Sequence, residues 1–125
     1  GLEERFHFLG KQPFEKIPEL FRGMSLVTAL SRNEGYGLTV LEAMSSGCAV
    51  LASEAGAWKD IIKTDAFGKI VPIDDLPATE SALESLISNG PEALEVMGQR
   101  ARQTILKQYR VEEEAEHLVN FYRTI

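Results

Sequence analysis

Only one cysteine, Cys48, stands in the sequence, so neither an intrachain disulfide nor a cysteine-based zinc site is available. Opening an apolar run, it reads as a small buried core residue. Histidine is nearly as scarce. His7 lies in a strand pattern and His117 in a charged helix, neither with a second ligand at metal spacing, so no metal site is expected. The chain contains no signal-like segment and no apolar run of the roughly 18 residues a membrane helix needs, which makes the cytoplasm the expected compartment. Clustered lysine and arginine are missing too. Thirteen basic residues against 19 acidic ones leave a net charge of −6, and the cations are scattered singly. Nucleic acid is therefore not an expected partner, and an anionic lipid surface finds no basic face to hold. What is present is the balance of one globular domain: 125 residues, 44% of them hydrophobic and 26% charged. That length supports a core but is too short for a two-domain enzyme.

Hydrophobic patterning predicts alternating strands and helices. Arg5-Phe6-His7-Phe8-Leu9 before Gly10 reads as a short strand. Apolar positions 14, 17, 20 and 21 predict a helix with Pro18 in its first turn or at a kink. Residues 25–30 form a second strand, residues 38–46 a helix ending at Gly47, and the apolar run 48–52 a third strand. A run without polar alternation is what a parallel strand covered on both faces shows. Trp58–Ile62 is a short helical turn, with Trp58 expected to pack that helix, and Phe67–Val71 a fourth strand closed by Pro72. Helices over 77–88, 91–108 and 111–124 complete the chain, the last with Val111, Ala115, Leu118, Val119 and Tyr122 on one stripe. The expected fold is α/β, a Rossmann-like parallel sheet of about four strands flanked by helices.

In such sheets ligands gather beyond the carboxyl ends of the strands. There the sequence places Ser31-Arg32-Asn33-Glu34-Gly35-Tyr36-Gly37-Leu38-Thr39-Val40-Leu41-Glu42. Gly35 and Gly37 permit close backbone approach, and the helix they feed presents unpaired amides with a positive dipole end, a setting suited to phosphate oxygens. Glu34 in the loop and Glu42 a turn into the helix add carboxylates able to accept hydroxyl hydrogen bonds, with Thr39 and Ser46 on the polar face of Glu42. Taken singly, each glutamate or glycine reads as structural; their order and spacing together point to a nucleotide sugar.

Glu34 and Glu42, with seven residues between them in this setting, resemble the donor-site signature of retaining family-4 glycosyltransferases. The flanking strands and the aromatic C-terminal helix follow the order that family uses. The resemblance implies part of the C-terminal nucleotide-sugar-binding domain of a two-domain GT-B enzyme, with the N-terminal acceptor domain absent from residues 1–125. It implies Glu34 as the catalytic residue on the donor sugar, and Tyr36, Gly37, Leu38, Thr39, Val40 and Glu42 as donor-binding, Glu42 on the ribose. The reaction implied is transfer of a hexosyl group with retention, in bacterial lipopolysaccharide or polysaccharide synthesis. The substrate would be a UDP- or GDP-sugar, with no metal and no separate cofactor. The full-length enzyme is then expected in the cytoplasm or peripheral at the inner face of the membrane.

The family's diphosphate-binding Arg and Lys, and two central strands, belong to elements upstream of Gly1, so this stretch alone is expected not to catalyse transfer. The strand at 5–9 would pair with that at 25–29, swap to another molecule, or dock on a separate fragment. An exposed strand edge or helix 111–124 would favour self-association. Leu30 stands where the family often has proline, Glu54-Ala55-Gly56-Ala57 replaces a more glycine-rich loop, and Ala57 is not placed in the site. Two other readings remain: a non-enzymatic nucleotide- or phosphate-binding module of flavodoxin-like shape, and a fragment of a GT-B sugar-nucleotide epimerase.

Overall fold

The computed structural model describes residues 1–124. Its centre is a three-stranded parallel sheet of β1 (Leu26–Ala29), β2 (Ala49–Ser53) and β3 (Lys69–Val71), in that spatial order. Val27 lies opposite Val50 and Ala29 opposite Ala52, while Ala52 pairs with Ile70 and Ser53 with Val71. Every residue of β2 is buried, as its apolar run predicts. Alternate side chains serve opposite layers, because successive strand residues point to opposite faces. Val50 and Ala52 join a core with α2 (Leu38–Ser45), the short α3 (Trp58–Ile61) and the C-terminal part of α5 (Pro91–Gln108). Ala49 and Leu51 join a second core with α4 (Leu76–Ser88) and the start of α5. Helices cover both faces, and the parallel α/β architecture expected from the sequence is borne out.

Local chemistry sets the helix boundaries. Asp75 caps α4, its carboxylate accepting a hydrogen bond from the Ala78 amide at 2.9 Å, and Pro77 sits in the first turn. Pro91 opens α5. Pro18 likewise lies in the first turn of α1 (Ile17–Arg22), which a 3-10 turn at Phe14–Lys16 precedes. Cys48, immediately before β2, is fully buried and its thiol donates to the Phe21 carbonyl. Burial pushes that thiol's pKa up, as befits a packing residue.

The N-terminal expectation needs correction. Residues 5–9 form no strand: Glu3–Arg5 is a 3-10 turn, and Phe6–Gly10 carry no regular structure, with Phe8 almost wholly exposed. The sheet has three strands rather than about four, and the expected pairing of 5–9 with 25–29 is not formed. The reason is that a strand exists by its hydrogen-bonded neighbour, and among the described residues β1 pairs only with β2. Apolar alternation alone does not supply that neighbour. On α6 (Val111–Thr124) no residue is buried, so its predicted stripe of Val111, Leu118, Val119 and Tyr122 faces solvent.

The seat of α5 on the sheet depends on Gly98. A Cβ there would collide with the carbonyl oxygen of Gly47, a backbone atom that cannot swing aside. In an exposed helix, exchanging glycine for alanine gains about 1 kcal/mol. Here Gly98→Ala is expected to destabilise by about 1–3 kcal/mol through overpacking. Thermal unfolding would show this as a lowered Tm; a raised Tm would contradict the close approach of α5 to Gly47.

Candidate functional site

Because the three strands are parallel, their carboxyl ends share one edge of the sheet and three connections converge there: residues 30–37, 54–57 and 72–75. Two polar links tie the first of these loops to its surroundings, and a third acts within it. The buried Ser53 hydroxyl, at the end of β2, donates to the Ser31 carbonyl at 2.6 Å. The Ser31 hydroxyl in turn donates to Glu34 Oε1 at 2.8 Å, which holds the carboxylate in a partly buried position. Arg32 Nε meets Asp74 Oδ1 at 2.8 Å across to the third loop, where Asp74 adopts φ 59°. The hydrogen bond that Arg32 donates to Asp74, then the charge of that carboxylate, raises the guanidinium pKa further.

The second connection forms the floor of the first. At Gly56, with φ 54°, an added Cβ would stand 2.6 Å from the carbonyl oxygens of both Glu34 and Gly35, so the two backbones are in direct contact. Trp58, almost completely buried, donates its indole Nε1 hydrogen to the Gly37 carbonyl at 3.0 Å. Gly37 is the N-cap of α2 with φ 72°, and no side chain caps that helix. The amides of Leu38 and Thr39, in the first turn, donate to no protein group among the described residues.

The predicted site residues take different places. Glu34, Gly37 and Leu38 lie together on the loop and helix start, with Tyr36, Leu38 and Thr39 exposed. Val40 points inward: its side chain is fully buried and its amide bonds the Gly37 carbonyl at 3.3 Å. Glu42 is partly buried one turn along α2, on the side facing α1, where it lines a cavity of about 120 Å³ with Phe14, Ile17, Phe21 and Ser46. Its carboxylate accepts no hydrogen bond from a protein group among the described residues. Ala57 is the residue before α3 and makes no polar contact with the loop. Tyr109, at the end of α5, titrates above its ordinary range because it is partly buried and because Tyr36 and Asp60 lie near its phenol. No group of three or more His, Cys, Asp or Glu among the described residues is arranged to hold a metal ion.

Sequence reasoning missed the Ser53–Ser31–Glu34 chain and the indole bond to Gly37. The first leaves no periodic signal. The second had one available: a buried tryptophan needs a partner for its N–H, and a capping glycine with a free carbonyl stands in the neighbouring loop.

With this geometry the sequence matches the family described as Glycosyl transferases group 1 over residues 1–104, and the chain belongs to that family. It is 38% identical, over its whole length, to the lipopolysaccharide core biosynthesis mannosyltransferase LpcC of Rhizobium leguminosarum bv. viciae, of which it spans 35%. The crystallised C-terminal domain of the group 1 family protein LpcC from Francisella tularensis superposes with a TM-score of 0.71 at 32% identity, covering 85% of this chain and 53% of that one. The Anabaena protein HepE, solved in complex with UDP-glucose, superposes with a TM-score of 0.85 at 21% identity, covering 99% of this chain and 34% of that one. The last likeness shows the fold alone, a three-stranded parallel sheet with its helices, which the Francisella C-terminal domain shares. The chain spans about a third of the length of the curated relatives it matches over its whole length.

The floor contact at Gly56 is open to direct test. Gly56→Ala places a Cβ against two backbone carbonyls at positive φ, and is expected to destabilise by about 1–3 kcal/mol. Amide resonances of residues 34–37 should shift while those of α4 stay in place. Unchanged resonances at 34–37 would show that the second loop does not support the first.

Proposed function

We propose that this chain is part of the C-terminal donor-binding domain of a retaining glycosyltransferase. The full-length protein transfers a hexosyl group from a UDP- or GDP-sugar, with its acceptor-binding domain outside these 125 residues. The observation that carries this reading is the loop from Glu34 to Thr39. A carboxylate held by Ser31 stands ahead of a helix start whose Leu38 and Thr39 amides have no protein partner. Amides so placed, at the positive end of a helix, suit the diphosphate of a nucleotide sugar.

The roles proposed are those the family resemblance implies. Glu34 takes the donor sugar and is the catalytic residue; Tyr36, Gly37 and Leu38 line the sugar and phosphate side. Thr39 and Val40 belong to the phosphate-facing helix start, Val40 by fixing the first turn through its bond to Gly37. Glu42, its carboxylate free of protein partners, receives the ribose hydroxyls. The nucleotide sugar is the substrate, and no metal or further cofactor enters this reading. Lipopolysaccharide core or other bacterial polysaccharide synthesis is the process favoured, since LpcC bears that description. A cytoplasmic enzyme, peripheral at the inner membrane face, suits such work; among the described residues no helix is long and apolar enough to cross a membrane.

Calorimetric titration of the chain with UDP, GDP, UDP-glucose and GDP-mannose tests the reading. Selective binding of one nucleotide is expected. Glu42→Ala removes hydrogen bonds to a charged acceptor and should weaken binding roughly ten- to a hundredfold. Binding that ignores both Glu42→Ala and the sugar would instead favour the non-enzymatic nucleotide module.

A further inference from the structure

We infer that Trp58 is a positioning residue for the donor: its indole N–H holds the peptide plane between Gly37 and Leu38 so that the Leu38 amide faces the phosphate. This rests on the donor-site reading above. In a trans peptide the C=O and the following N–H point in opposite directions, and there is no cis bond among the described residues. Trp58 Nε1 draws the Gly37 oxygen toward the buried side at 3.0 Å. The Leu38 N–H is thereby turned outward, where no protein group takes it.

The plane needs such a hold. Gly37 sits at φ 72°, ψ 60° and lacks the Cβ that would restrict rotation of its peptide. The only other donor to its oxygen among the described residues is the Val40 amide, at 3.3 Å. An N-cap side chain would ordinarily fix this turn, and here there is none. Trp58 is well placed to substitute. It is packed in the same core as Val40, Ala43, Ile61 and Ile62, and only 1% of its surface is exposed, so the indole has one available orientation. Burial also excludes it from stacking on a ligand. A Cβ at residue 37 would strike the indole ring itself, so Gly37 and Trp58 fit each other as a pair. The consequence for binding is preorganisation: an amide already aimed at an anion loses little freedom when the anion arrives.

Trp58 is the only tryptophan in the sequence, which makes the test direct. Replacing it with 3-benzothienylalanine keeps the size and shape of the ring and removes the N–H; 7-azatryptophan restores the N–H. In the unliganded chain, scalar coupling across the hydrogen bond should connect the indole 15Nε1 to the Gly37 13C′. The benzothienyl variant should keep the wild-type Tm and amide pattern away from residues 36–40, yet bind UDP-glucose or GDP-mannose roughly tenfold more weakly, the loss of one oriented hydrogen bond. The 7-aza variant should bind as the wild type does. If the wild-type chain binds a nucleotide sugar and the benzothienyl variant binds it equally well, the positioning role is overturned while the donor site stands. If neither the wild-type chain nor the full-length enzyme that contains it binds any of them, the donor-site reading fails and takes this role with it.

Discussion

Burial of β2 on both faces is the constraint on which the rest of the structure depends. A strand whose side chains are all hidden must be flanked by strands along its edges and by helices above and below. Satisfying that demand places β1 and β3 parallel to it and sends each connection back over the sheet as a helix. The three loops then arrive at one end. The site is thus a by-product of how Ala49 to Ser53 are covered. Hiding the Leu51 side chain alone contributes about 1.5–3 kcal/mol, more than any of the exposed ion pairs on this molecule supplies.

Within that frame the candidate site is built in two tiers. The loop from Ser31 to Gly37 carries the groups that could meet a ligand, and of its own side chains Ser31 holds Glu34 and Arg32 reaches Asp74. Support comes from behind: Ser53 at the end of β2 bonds the Ser31 carbonyl, Gly56 touches the Glu34 and Gly35 carbonyls, and Trp58 bonds that of Gly37. Each supporting contact falls on a backbone oxygen. Tyr36 is left exposed for recognition, and the loop is nonetheless anchored to the buried core, a division suited to preorganised binding.

Legibility in the sequence followed the range of the signal. The apolar run at 48–52, the helical stripes of α4 and α5, and the glycine-bearing start of α2 are local patterns, and each appears within a residue or two of its expected bounds. Glu34 through Glu42 stands out as a candidate site because its order and spacing are sequential. Residues 5–9 misled because alternation describes a side-chain preference, whereas a strand requires a partner that only the tertiary structure can provide. The Arg32–Asp74 pair spans 42 residues and the Trp58 bond 21, and neither separation corresponds to any helical or strand period. Such long-range polar contacts arise after the fold has formed, from what the loops happen to bring together, so their traces in the sequence are only a donor in need of an acceptor.

Charge adds a last step to the picture of the site. Arg32 is the one basic residue between Ser31 and Glu42, and its Nε is committed to Asp74, where it joins the first loop to the third. That pair is exposed and stabilises the arrangement little by itself. Its more important effect is on what the loop offers an anion. With Arg32 drawn aside, what this loop itself offers an anion is its oriented amides and the dipole of α2. An anion site of this kind depends on direction: amides reward a ligand whose oxygens lie where the N–H groups point, and a rotated peptide plane forfeits the gain. This is why the orientation of the single peptide between Gly37 and Leu38, set by a tryptophan that touches no ligand, bears so heavily on the proposed function.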